Sequence, residues 1–200
     1  SSVNMETGEM TDKVSGTEDI RYFGVAANTL YAVDRDGQIL LFDLHQPDVV
    51  EKDDGLSDSI AQSGANTDLQ SLQTKPLIFV EGKEENEVFY CSNKGLYRHI
   101  RNGDVSELLI DGSLTSLGSP DVGLITMETA ENNEFYVLAV DSQSVRLLHY
   151  TYSKDTAAVP GTELRAWSLR ENSELLQNIS QYQKENPDVY VTLDIGSTEE

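Results

Sequence analysis

Cysteine, basic side chains and long apolar runs are all scarce in this chain, and each scarcity removes possibilities. A lone cysteine, Cys91, excludes an intramolecular disulfide. It sits inside the apolar stretch VFYCS, where a small thiol is a core residue rather than a nucleophile. No apolar run approaches the roughly 18 residues that a membrane-spanning helix requires, so no transmembrane segment is expected. Only 14 Lys and Arg stand against 35 Asp and Glu, giving a net charge of -21. That balance repels phosphate backbones and anionic headgroups, which argues against nucleic acid and anionic membrane as partners. No signal-peptide pattern opens the chain, and a start at Ser1 without Met fits a processed or engineered terminus.

What is present is a repeated β rhythm. Residues 87–110, EVFYCSNKGLYRHIRNGDVSELLI, read as three strands separated by tight turns at Asn93-Lys94-Gly95 and Asn102-Gly103-Asp104. In the first strand both faces carry bulky or small apolar groups in a period-two pattern. Earlier, LYAV-DRDG-QILLFDL repeats the unit, preceded by a strand over 20–25. Later, 122–128, 134–141 and 144–152 form a third. Units spaced by roughly 50 residues fall in the range of propeller blades. A ring needs about four to eight blades, so three cannot close one.

Asp34-x-Asp36-Gly37 has the opening of a calcium loop, but the following QILLF is strand without the later oxygen ligands, which makes it a hairpin turn. Residues 47–74, rich in Ser, Asp, Gln and Gly, are expected to form a long loop with room for one helical turn. His45, His99 and His149 fall at or near strand ends in successive units, where a shared metal would need all three to point at one axis. Their contexts, DLHQP, YRHIR and LLHYT, neither align nor supply an acidic second shell. Ordinary strand-end histidines are therefore expected, with no metal and no other cofactor. No Ser/His/Asp order, paired-carboxylate context or Gly-rich phosphate loop emerges, so no catalytic residue is assigned and no enzyme is expected.

Residues 162–196, TELRAWSLRENSELLQNISQYQKENPDVYVTLDIG, follow a different grammar. A strand over 164–169 precedes a helix that Asn172 or Ser173 caps and Asn186-Pro187 ends. Leu175, Leu176, Ile179 and Tyr182 share one helical face, and Val189, Val191, Leu193 and Ile195 alternate along a final strand. This is a βαβ unit, expected to be parallel and right-handed, and it reads as the opening of a larger α/β domain. Asn178-Ile179-Ser180 matches a glycosylation pattern but lies on the helix.

The phrases LRAWSL and QKENPDVYVTL resemble the start of bacterial extracellular solute-binding proteins of importers, over about 35 residues, the length of one βαβ unit. The resemblance implies a non-catalytic, ligand-capturing lipoprotein on the bacterial cell surface. It implies ligand contacts from the loop after the first strand, here Ser168, Arg170, Glu171 and Asn172. A stand-alone β-repeat scaffold for a protein or glycan partner is the alternative. The expected organisation is a flexible acidic leader over 1–19, with a short edge strand near Met5 or Val14. A mainly β, propeller-like domain of about three blades over 20–155 follows, then the βαβ unit over 162–196. Partners are expected to be a small solute or a surface protein or glycan, with self-association possible through the C-terminal unit.

Overall fold

The computed structural model describes residues 2–3, 6–11, 19–46, 49–68, 73–84, 86–153, 161–170, 172–186 and 189–196. Among the described residues strands dominate over helix. A short antiparallel pair, β1 (Ser2–Val3) with β2 (Met10–Thr11), opens the chain. Met5 and Val14, where one edge strand is predicted, lie outside the described residues.

Three antiparallel meanders follow. The first is β3 (Ile20–Ala26), β4 (Thr29–Asp34), β5 (Ile39–Asp43) and β6 (Val50–Lys52). The helix α1 (Asp54–Ser63) leads to the second, β7 (Ile78–Glu81), β8 (Glu87–Ser92), β9 (Gly95–Ile100) and β10 (Ser106–Asp111). Two 3-10 turns, Gly112–Leu114 and Ser116–Gly118, connect to the third, β11 (Gly123–Ala130), β12 (Glu134–Val140) and β13 (Val145–Thr151). In each sheet the strands pair in chain order, and β7 neighbours both β3 and β11, so the leading strands of the three sheets lie side by side.

Local chemistry accounts for the turns. Gly95 closes the β8–β9 hairpin at φ 147°, a conformation that side chains disfavour, and Asn102 adopts φ 60° in the next turn. Asp34 Oδ1 accepts from the amides of Asp36 and Gln38, each at 2.9 Å, so the DRDG carboxylate holds its own turn.

The middle sheet is buried on both sides, and every residue of β8 is buried. Towards the first sheet, Tyr22, Tyr31, Val33 and Leu41 meet Phe79, Val88 and Tyr90, joined by Leu56 and Ile60 of α1. Towards the third, Ile78, Phe89, Cys91 and Leu96 meet Leu124, Met127, Phe135 and Val137. Each large apolar side chain so buried contributes about 1.5–3 kcal/mol. Ring contacts cross both seams: Tyr31 stacks on Phe79 at 4.8 Å, and Phe89 meets Phe135 edge-on at 5.0 Å.

Helix α1 corrects the expected loop over 47–74. Asp53 caps it by accepting from Leu56 N–H, and Gly64 ends it in the left-handed conformation at φ 69°. Its apolar stripe is narrow, Leu56 and Ile60 only, and Gly55 weakens the helical signal. That glycine is required by packing: a Cβ there would lie 1.9 Å from the Gly103 carbonyl oxygen.

The C-terminal unit is β14 (Thr162–Ser168), α2 (Ser173–Glu185) and β15 (Val189–Ile195). The two strands pair in parallel from Thr162↔Val189 to Ser168↔Ile195, as the βαβ reading expects. Among the described residues no helix is long and apolar enough to cross a membrane.

Candidate functional site

In a parallel unit the loops that reach a ligand leave the carboxyl ends of the strands. Here that edge carries Ser168, Arg170 and Asn172 in one short turn; Glu171 lies outside the described residues. Ser168 Oγ donates to the Arg170 carbonyl at 2.7 Å, and Gly196 N–H donates to the Ser168 carbonyl at 2.8 Å, tying the two strand ends together. Asn172 Oδ1 accepts from Glu174 and Leu175 N–H at 2.9 and 3.3 Å. The cap thus occupies two of the first helical amides, which reduces what the helix end offers an incoming anion. Trp167, 66% exposed, lies against Gly196, where an added Cβ would sit 2.7 Å from its ring.

The two faces of this small sheet differ. On the helix side Leu164, Ala166, Ile179, Tyr182 and Val191 line an open apolar groove of about 510 Å³. These are faces the sequence pairs by periodicity, but Leu164 and Tyr182 remain exposed. On the far side Arg165 reaches Asp194 at 2.9 Å and Thr192 donates to Glu163 at 2.8 Å, a polar ladder suited to water. Of the large apolar side chains near this sheet, Trp167 and Leu169 are exposed and Tyr190 is half-buried.

A second constellation has no signature in the sequence. His99 on β9 places Nε2 3.2 Å from Asp53 Oδ2 and Nδ1 3.1 Å from Ser106 Oγ. Asp53 also accepts from Asn102 N–H at 3.0 Å and Leu56 N–H at 2.9 Å, while Ser59 Oγ accepts from Ser106 N–H at 3.0 Å. Burial opposes ionisation of Asp53, yet the bonds from His99, Asn102 and Leu56 outweigh it and hold the carboxyl below its usual range. The residue types are those of an acyl-transfer triad, but the imidazole has no solvent exposure. Buried in this way, the imidazole fastens α1 to the β9–β10 hairpin. The signal that would have found it is geometric only, because Asp53 and His99 are 46 positions apart.

Two further placements bear on the site. Glu87, from the buried strand β8, pairs with Arg98, which also reaches Glu107 at 3.4 Å. Burial raises the Glu87 carboxyl, but Arg98 and the amides of Glu84 and Lys83 bring it below its usual value. The three histidines do not converge. His99 faces Asp53, His149 stacks on Tyr136 with Glu134 3.8 Å away, and His45 is exposed near Asp43. Among the described residues no three His, Cys, Asp or Glu side chains gather as metal ligands.

No protein-family model matches the chain, and no curated protein matches it. Among solved structures it is similar to the computationally designed Ika4 protein at 9% identity and TM-score 0.34, covering 70% of this chain and 96% of that one. It is similar to the N-terminal domain of Nup159 at 10% identity and TM-score 0.30, covering 79% of this chain and 38% of that one. YCF48, solved bound to D1 peptide, is similar at 10% identity and TM-score 0.30, covering 65% of this chain and 39% of that one. The chain thus spans about two fifths of the length of the latter two.

Proposed function

We propose that this chain is a non-catalytic binding protein, part of an extracellular solute-binding lipoprotein of a bacterial importer. Propeller-like blades precede the first βαβ unit of its α/β binding domain. The observation that carries this reading is the carboxyl edge of the β14–β15 pair. Parallel register brings the Ser168–Arg170 turn, the capped start of α2 and the exposed Trp167 to one rim, where α/β sheets receive ligands. In support of a non-catalytic role, the imidazole of His99 beside the half-buried Ser106 is itself wholly out of solvent. The side-by-side leading strands β3, β7 and β11 support the blade reading, since propeller blades stack this way around an axis.

Trp167 is the sole tryptophan, so its emission reports on this rim alone. Titration with sugars, amino acids and short peptides is expected to shift that emission for one solute class, with the shift weakened by Arg170→Ala. An emission unchanged across the panel removes the solute reading. The second reading, a β-repeat scaffold capped by the βαβ unit, is favoured by Gln183 of α2, which donates to the Ser113 carbonyl at 2.8 Å and so docks the unit on the stack.

A further inference from the structure

Among the described residues the third sheet has one strand fewer than the first two. Its two sister sheets have four strands each, with β6 and β10 hydrogen-bonded outside the third, whereas β13 is the last described strand of a sheet of three. Ladder geometry says what β13 offers there. Asp141 N–H donates to the Ser144 carbonyl, and Tyr152 N–H to the Asn133 carbonyl, each at 3.0 Å. Both pairs belong to the β12–β13 register, and hydrogen-bonded pairs alternate along an antiparallel ladder. Arg146, Leu148 and Tyr150 therefore bond back to β12. Val145, Leu147, His149 and Thr151 turn their N–H and C=O groups away from it.

That edge is open. Val145 is 61% and Leu147 66% exposed, although both are apolar residues on a regular strand. A groove of about 490 Å³ runs beside it, lined by Leu114, Ser116, Leu147, His149, Tyr150 and Gln183, with no Asp or Glu among its described lining residues. In a chain of net charge -21 this is an uncharged trough. At the start of β13 the Asp141 carboxylate is paired with Arg146, whereas where β13 finishes Glu134 lies 3.8 Å from His149 Nε2 and Glu107 accepts from Tyr152 Oη at 3.1 Å. A strand running antiparallel to β13 places its amino end at that acidic rim.

We propose that the free edge of β13 binds an extended peptide of a partner protein as a fourth, antiparallel strand. The peptide is apolar or neutral at the positions that fill the trough and carries lysine or arginine at its amino end. Backbone pairing supplies the affinity, the trough selects against charged central residues, and Glu134 with Glu107 fixes direction. This site is separate from the Trp167 rim, and neither test depends on the other.

The test uses the whole chain and a fluorescently labelled probe peptide, Lys-Lys-Thr-Val-Thr-Val-Thr-Val, followed by anisotropy. Saturable binding below about 1 mM is expected. Leu147→Pro removes an outward N–H without touching a β12 bond, and is expected to weaken binding by about tenfold or more. Probe peptides N-methylated on alternate amides keep the test sound if that variant misfolds. Methyl groups on the set facing β13 abolish binding, and those on the other set leave it. Replacing both lysines with glutamate weakens binding several-fold. Three results overturn the proposal: no saturable binding, equal binding of both N-methylated sets, or a chain that is dimeric by light scattering and made monomeric by Leu147→Pro. The last result assigns the edge to a second copy.

Discussion

Asp53 Oδ2 and His99 Nε2 face one another at 3.2 Å with both side chains wholly out of solvent. One comes from the cap of α1 and the other from β9, so the contact holds a helix of the first repeat against the second. Removing either partner leaves a buried polar group without its bond, which costs far more than the pair contributes net. Asp53→Ala also removes the helix cap and the acceptor for Asn102 N–H. Urea unfolding is expected to show a loss of about 3–5 kcal/mol for Asp53→Ala and a smaller loss for His99→Ala. The double variant should lose about 1 kcal/mol or more less than the sum of the two. Strict additivity would show that the two side chains do not act as a unit.

The acid limb of stability follows from two carboxylates. Asp53 and Glu87 both have folded pKa values below their unfolded ones. Their contribution is fully present above the unfolded carboxylate range, about pH 4, and is lost as pH falls through the lower folded values. Thermal melts between neutral pH and pH 2 are expected to show midpoints dropping below about pH 4. Asp53→Asn and Glu87→Gln should each flatten that drop while lowering stability at neutral pH. An unchanged slope in both variants would remove these groups as its cause.

Much of the fold was legible because its strands obey simple periodicity. VFYCS carries apolar groups on both faces, and β8 is the strand packed on two sides. Asn-Lys-Gly and Asp-Arg-Asp-Gly mark hairpins because their conformational demands are local. The βαβ unit was legible for the same reason, from Asn172 to the alternating apolar residues of β15. Helix α1 was not, since its glycine answers to the carbonyl of Gly103, 48 positions away in sequence and in contact only after folding. The buried Asp53–His99–Ser106 chain was hidden likewise, each member having an unremarkable neighbourhood in sequence. That the last sheet has three described strands stands out only against the two sheets of four.

Gly55 sets local propensity against tertiary packing. Gly55 stands in the first turn of α1, where alanine is favoured over glycine by at most about 1 kcal/mol. At this position the added Cβ would meet the Gly103 carbonyl oxygen at 1.9 Å and its carbon at 2.9 Å, backbone atoms that cannot swing aside. The clash is expected to win, with Gly55→Ala destabilising by about 1–3 kcal/mol in urea unfolding. A stabilised variant would show that α1 can draw back from the hairpin at little cost.

Tyr90 presents the opposite case. Its ring stacks on Tyr97 at 4.9 Å, and its hydroxyl is buried near Ser106 without a hydrogen bond of acceptable geometry. Burial pushes the phenol up to about 12, so it is neutral throughout the physiological range. A buried hydroxyl without a partner costs about 1–3 kcal/mol of desolvation. Tyr90→Phe removes that cost and keeps the ring, and is expected to leave stability unchanged or raise it by about 1 kcal/mol. A loss larger than that would reveal a hydrogen bond in solution.

Gln183 decides whether the C-terminal unit moves with the β-stack. It is 2% exposed and uses both ends of its amide: Nε2 donates to the Ser113 carbonyl at 2.8 Å, and Oε1 accepts from Val191 N–H at 3.1 Å. One side chain thus joins α2 to the edge of β15 and to the 3-10 turn after β10. Gln183→Leu keeps the bulk but leaves a buried N–H and C=O unpaired, a local cost of about 1–3 kcal/mol. Gln183→Glu still accepts from Val191 but turns an oxygen towards the Ser113 carbonyl, so it breaks the docking bond and spares the internal one. Hydrogen exchange separates the two. In Gln183→Leu, the Val191 amide should exchange about tenfold faster or more, while the amides of β8 keep their protection. In Gln183→Glu, Val191 should stay protected, while a protease cutting between 153 and 162 should release the unit more readily. Equal protection of Val191 in both variants would mean that apolar contacts, not this amide, hold the unit in place.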